Sequence, residues 1–187
     1  MKVPIMVELY RQADAGRLTL DDTMVVTNTF TSIVDGSPYR LSATEDSDGD
    51  IYKAIGQPRS YRVLNEAMIT VSSNLAANLL IERLGAKAIQ DTVDGLGASG
   101  MQVLRGVEDQ KAFDKGLNNS TTVRGLMVLF DRLGHGRAVD AKSDAAMIDL
   151  AAPAMSVMFF KDAFDLLGIQ YQATRAGEFK GAVEPYL

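Results

Sequence analysis

The chain has 187 residues, 47% of them hydrophobic and 23% charged, with a net charge of −5 and a sequence pI near 4.9. These are the proportions of an ordinary soluble globular domain, or of one domain and a fragment. No basic block occurs, which argues against nucleic acid as a partner. The absence of Cys excludes disulfides and thiolate chemistry. The single histidine, His135, lies in Gly134-His135-Gly136 and reads as a turn after a helix, so a His-dependent triad has little support.

Near the N-terminus, the apolar run that begins at Val3 is interrupted at Glu8, too soon for a secretory leader. No apolar stretch reaches the length of about 18 residues that a membrane span needs. Pro4, Met6, Leu9 and Tyr10 instead predict a helix over 2–15, with Gly16 as its C-cap. A turn at Asp21-Asp22 and the β-branched pair Val25-Val26 follow. Residues 35–58 are rich in Gly, Pro, Ser and Asp and read as a long surface loop. Within it, Asp46-Ser47-Asp48-Gly49-Asp50 fails the EF-hand test, since positions six and twelve are Ile51 and Gln57, and reads as a solvated turn.

Ser60 opens a helix over 60–68. From Ser73 to Leu84 a stronger one carries Leu75, Leu79, Leu80 and Leu84 on one stripe and ends at Gly85. Ala86 to Leu96 is the next, closed by Gly97. Residues 100–119 look irregular. Ser120 then caps a helix to Leu133, and another starts at Asp140 or Ala141 and runs to about Ala151. Pro153 breaks the pattern. Met155 to Leu167 reads as an unusually apolar helix, and Ile169 to Ala176 alternates like a strand ended by Gly177.

Three segments carry chemistry in a meaningful order. Lys2 sits in Met1-Lys2-Val3-Pro4-Ile5-Met6. Ser72-Ser73-Asn74 lies within the run from Ile69 to Leu80. Leu104-Arg105-Gly106-Val107-Glu108-Asp109 leads on to Asn118-Asn119-Ser120-Thr121-Thr122. Together they resemble the class A β-lactamases and related serine hydrolases, built on S-x-x-K, S-D-N and K-T-G. The resemblance implies that Lys2 is the motif lysine, with the nucleophilic serine expected three residues earlier and so missing from the chain. It makes Ser72 the second serine of the site and Asn74 the substrate-binding asparagine. Ser73 stands where the family has Asp, which removes a buried carboxylate. Glu108 is the implied deacylating carboxylate, with Asp109 as the alternative.

In such chemistry a serine hydroxyl attacks only when a base takes its proton. A lysine can do so only if its pKa falls, and a positioned carboxylate then activates water. Each residue also has a plainer reading: Lys2 as a solvated terminus, Ser72 as a helix N-cap, Asn74 as a polar first-turn residue, and Glu108 as a loop carboxylate. No K-T-G follows Asn74.

A second resemblance begins near Ala154. Phe159-Phe160-Lys161-Asp162-Ala163-Phe164-Asp165-Leu166-Leu167-Gly168-Ile169, with Arg175 to Tyr186, is similar to signal peptide peptidase A, an S49 serine peptidase. It implies that Lys180 is the general base of a Ser/Lys dyad whose serine is not in this chain. The plainer reading of Lys180 is an exposed lysine opening a helix.

The resulting expectation is a mainly α chain with two parts. Residues 1–151 form the helical subdomain of a β-lactamase-like α/β serine hydrolase fold, and residues 152–187 a helix–strand–helix fragment of S49 type. The function implied is acyl-enzyme hydrolysis of a β-lactam or other amide or ester, inactive in this chain without its nucleophile and K-T-G strand, with a small-molecule amide or ester or a peptide as the substrate partner. The alternatives are an S49 fragment or a non-enzymatic fusion. No cofactor or metal is expected, exposed apolar faces favour self-association, and the parent families imply a bacterial cell-envelope setting.

Overall fold

The computed structural model describes residues 1–155, and among them helices dominate. Helix α1 spans Lys2–Asp14, and Pro4 falls in its first turn, where a backbone N–H has no helical partner to lose. Ile5, Met6, Val7 and Leu9 are all fully buried, so α1 is enclosed on most sides by its neighbours. The charged side chain of Glu8 is buried on the same helix. Glu8 accepts hydrogen bonds from Gln12 Nε2 at 2.8 Å and Thr92 Oγ1 at 2.5 Å, with Arg17 3.7 Å away.

Two antiparallel pairs of short strands follow. β1 (Thr23–Val25) pairs with β4 (Pro58–Ser60) in the register Thr23↔Ser60, and β2 (Phe30–Thr31) pairs with β3 (Pro38–Tyr39). The predicted loop over 35–58 therefore holds β3 and a short helix, α2 (Gly49–Lys53), capped by Asp48.

Helices α3 (Tyr61–Thr70) and α4 (Asn74–Leu84) start where capping chemistry dictates. Ser60 Oγ accepts from Val63 N–H and Ser73 Oγ from Ala76 N–H, each at 3.3 Å. The predicted leucine stripe of α4 is buried as expected, and Ala76, Ala77 and Asn78 are buried with it. Helix α5 (Ala86–Gly95) packs beside α1 and α4.

Residues 100–119 are more ordered than their composition suggests: α6 spans Gln110–Asp114, and Gln102 bridges Ser120 through the backbone. That bridge occupies Ser120, so the cap of α7 (Val123–Gly134) is Thr122, whose Oγ1 accepts from Gly125 N–H at 3.0 Å. Asp140 opens α8 (Ala141–Met155) by accepting from the N–H groups of Lys142 and Ser143. Helix α8 runs on through Pro153 to Met155, where the sequence predicts a break; proline's fixed φ is itself helical, and only two residues of the helix follow it.

Candidate active site

Four side chains predicted to share a site meet at the junction of α1, α4 and the loop before α6. Lys2, in the first turn of α1, directs Nζ at three acceptors: Ser72 O, Ser72 Oγ at 2.7 Å and Asn74 Oδ1 at 3.0 Å. Asn74, the first residue of α4, donates from Nδ2 to Glu108 Oε1 at 3.2 Å. The other oxygen of Glu108 faces Ser42 N–H at 3.4 Å. Lys2, Ser72, Asn74 and Glu108 are thus linked in one chain of hydrogen bonds.

Two of these residues occupy backbone conformations that L-amino acids visit at a cost. Ser72 has φ +60° and Glu108 φ +62°, the only non-glycine positions in the left-handed region among the described residues. Such strain persists only where the surroundings over-determine it. At Ser72 the α3–α4 connection does so, because Ser73 N–H bonds back to Ala67 O and Ser73 Oγ caps α4. The N-cap role considered for Ser72 therefore falls to Ser73, which is fully buried, and the Ser72 hydroxyl is left to Lys2.

At Glu108 the loop is clamped from both sides. The buried Asn78 amide accepts from Val107 N–H at 2.7 Å and donates to Val107 O at 3.0 Å. Asn119 Oδ1 accepts from the N–H groups of Leu104 and Arg105, and Arg105 reaches Leu117 O, Gly106 O and Asn118 Oδ1. Asp109, the alternative to Glu108, is buried on the other side. Its carboxylate accepts from Ser32 Oγ, Ile33 N–H and Ala112 N–H, capping α6. It is Glu108 that reaches Asn74.

A carboxylate from another loop reaches the start of α4. Asp46 Oδ2 accepts from the N–H groups of Asn74 at 3.0 Å and Leu75 at 2.8 Å, anchoring the start of α4. Within the Asp46–Asp50 stretch, Ser47, Gly49 and Asp50 are exposed as a solvated turn implies, but Asp46 is docked, with its charge at a helix N-terminus. Sequence reasoning missed Asp46, Asn78 and Asn119. Asn78 and Asn119 fall within the segments that carry the resemblance, but their roles as loop clamps depend on tertiary contact.

Burial holds the Lys2 ammonium below its ordinary pKa near 10.5, while the nearby Asp46 charge pulls the other way. Tyr52, next to the site, is pushed well up by burial and by the charges of Asp46 and Glu108. An amine of lowered pKa, a hydroxyl and a carboxylate can accept and donate protons, and the Asn74 amide, bonded to both Lys2 and Glu108, holds the amine and the carboxylate in place. Among the described residues, no group of three or more His, Cys, Asp or Glu side chains could hold a metal ion. His135 lies exposed at the end of α7, with Nδ1 2.9 Å from Asp131 O, remote from these groups in the chain and on another helix. Lys180 and the rest of the S49-like segment from Phe159 to Tyr186 lie outside the described residues.

A profile of the beta-lactamase enzyme family matches residues 1–154. The chain belongs to that family. Solved structures agree on the fold. A β-lactamase from Sphaerobacter thermophilus DSM 20745 is 25% identical with a TM-score of 0.62, over 80% of this chain and 51% of that one. PBP-A is 24% identical with a TM-score of 0.60, over 80% and 50%. The chromosome-encoded β-lactamase of Vibrio parahaemolyticus is 17% identical with a TM-score of 0.62, over 80% and 52%. The chain thus spans about half the length of these β-lactamase-like structures. No curated protein sequence matches it.

Proposed function

We propose that Lys2, Ser72, Asn74 and Glu108 form the proton-handling side of a β-lactamase-type active site for small amides or esters. Lys2 is the proton acceptor, its pKa lowered by burial. Ser72, with Oγ 2.7 Å from Lys2 Nζ, relays a proton between that amine and the substrate. Asn74 Nδ2, already donating one hydrogen to Glu108, offers its second to a substrate carbonyl. Glu108 takes a proton from water for deacylation. The observation that carries this reading is the continuous contact from Lys2 through Asn74 to Glu108, across 106 residues of chain. It is tested by titrating benzylpenicillin into the chain and following the Asn74 side-chain amide by NMR. The signal should shift, and the shift should be lost in Lys2→Ala.

A polypeptide of these 187 residues alone turns over no β-lactam in this reading. It contains no serine three places before a lysine and no Lys-Thr-Gly. In subtilisin, another serine hydrolase, removal of the nucleophile costs on the order of 10⁶ in kcat. Nitrocefin hydrolysis should therefore equal that of a Lys2→Ala control.

Two further parts of the proposal rest on the sequence and the surface. The S49 resemblance of residues 154–187 makes Lys180 the base of a Ser/Lys dyad and the chain a fusion of two hydrolase segments. Val123 and Met127 on α7, 89% and 63% exposed, favour self-association, which sedimentation at rising concentration would show.

A further inference from the structure

Three neighbours surround the Lys2 amine, and only one of them carries a proton it can give up. Ser72 O is a carbonyl oxygen. Asn74 Oδ1 is fixed as an acceptor, because the amide's Nδ2 must face the Glu108 carboxylate, which only accepts. The ammonium form donates to all three neighbours. The neutral amine keeps two N–H groups and one lone pair, and the two obligate acceptors use the N–H groups. The lone pair is left for Ser72 Oγ at 2.7 Å, so in this state the serine hydroxyl donates to the lysine. This is the arrangement of an activated nucleophile: a hydroxyl in hydrogen-bond contact with a base that other groups orient.

The backbone supports the same role. Ser72 sits at φ +60° in a tight connection between two helices, a strained turn of the kind that presents a nucleophile outward. Ser72 is half-buried, whereas its neighbour Ser73 is fully buried and engaged as the cap of α4. The second Nδ2 hydrogen of Asn74 is available to an oxygen of a group attached at Ser72.

We propose that Ser72 is itself a nucleophile, with Lys2 as its base, toward small phosphonyl fluorides. The inference rests on the reading of Lys2 as the proton acceptor of the site. With a fluorophosphonate, Ser72 Oγ forms a bond to phosphorus and the P–F bond breaks. Fluoride leaves with the electron pair, and the hydroxyl proton passes to Lys2 Nζ. The product is a stable phosphonyl-serine, formed once per chain. Lowering of the Lys2 pKa by burial increases the neutral fraction that permits the step.

The test treats the full chain with a small alkyl fluorophosphonate and maps the adduct by peptide mass spectrometry, while benzylpenicillin is titrated in parallel and the Asn74 amide followed by NMR. The expected result is one adduct, on Ser72, whose rate of formation rises with pH as Lys2 deprotonates. Ser72→Gly, which suits the positive φ, should abolish it. Lys2→Met should slow it by roughly 10²–10⁴-fold, the usual contribution of a general base. An adduct on another residue overturns the proposal, as does a Lys2→Met rate equal to the wild-type rate or a wild-type rate independent of pH. An unlabelled chain whose Asn74 amide still shifts with benzylpenicillin overturns the nucleophile and leaves the proposed function standing. An unlabelled chain with no shift overturns both.

Discussion

The carboxylate of Asp46 lies 2.8 Å from the backbone N–H of Leu75, and the same oxygen accepts the N–H of Asn74 at 3.0 Å. A loop residue 28 positions upstream of Asn74 thereby fixes the start of the helix that presents it. The contact does two things at once. It satisfies N–H groups that a helix leaves unpaired at its start, and it sets negative charge against the positive end of the helix dipole. It also holds that charge near enough to Lys2 to favour the ammonium.

Replacing Asp46 with Ala should cost about 1–2 kcal/mol of stability, the range for loss of an N-terminal cap. Asp46→Asn keeps an acceptor but loses the charge and should cost less, roughly 0.5–1 kcal/mol. Urea denaturation of the three proteins checks this. Equal stability of Asp46→Ala and wild type would show that the contact is not formed.

Asn78 is the strongest test of how the Glu108 loop is held. Its amide is buried and bonded to both backbone groups of Val107. Asn78→Ala leaves those groups unpaired in a buried site, at a cost of about 1–3 kcal/mol. Amide exchange should accelerate over residues 104–109 more than in α4 itself. Uniform acceleration across both would mean that the loop is not an independently clamped unit.

The Gly106 position should be intolerant of a side chain. A Cβ there would come within 2.7 Å of both Asn78 Oδ1 and Tyr39 Oη. Asn78 is already committed to Val107, so relief must come from moving the loop. Gly106→Ala should destabilise by about 1–3 kcal/mol, measurable as a lowered Tm.

Acid should unlock the same region from the other side. Burial works against the ionised form of Asp109, but hydrogen bonds from Ile33, Ala112 and Ser32 outweigh it and hold the carboxyl below its ordinary value near 3.8. A depressed folded-state pKa contributes stability that is present above the unfolded value and is lost as pH falls through the folded one. Stability should therefore drop as pH falls below about 3.8. Asp109→Asn should be less stable at neutral pH and show a shallower acid limb in pH-dependent denaturation. An acid limb unchanged by the substitution would contradict the assignment.

What could be read in the sequence follows from how local each signal is. That Lys2, Ser72, Asn74 and Glu108 could come together was legible from the order of three motif segments, and hydrogen bonds link the four side chains. The buried stripe of α4 was legible because leucines recur at helical spacing. Ser60 was recognisable as a cap, since it bonds Val63 three residues on. Asp46 was not, because its partners lie across a loop, and an acidic Gly-containing stretch looks the same whether solvated or docked. Ser120 and Thr122 are equally good caps by type, and only the bridge to Gln102 decides between them. Strands of two or three residues, such as β2 and β3, are too short to show alternation.

The most direct test of the account is the titration of Lys2, followed by NMR of the chain with ¹³C-labelled lysine and assigned by Lys2→Arg. A Lys2 enclosed by Ser72 and Asn74 should titrate below its ordinary value near 10.5, and lower still in Asp46→Asn, which removes the charge that favours the ammonium. A Lys2 that titrates at 10.5, indifferent to Asp46→Asn and to Ser72→Gly, would be a solvated terminal lysine, and the site described here would not exist.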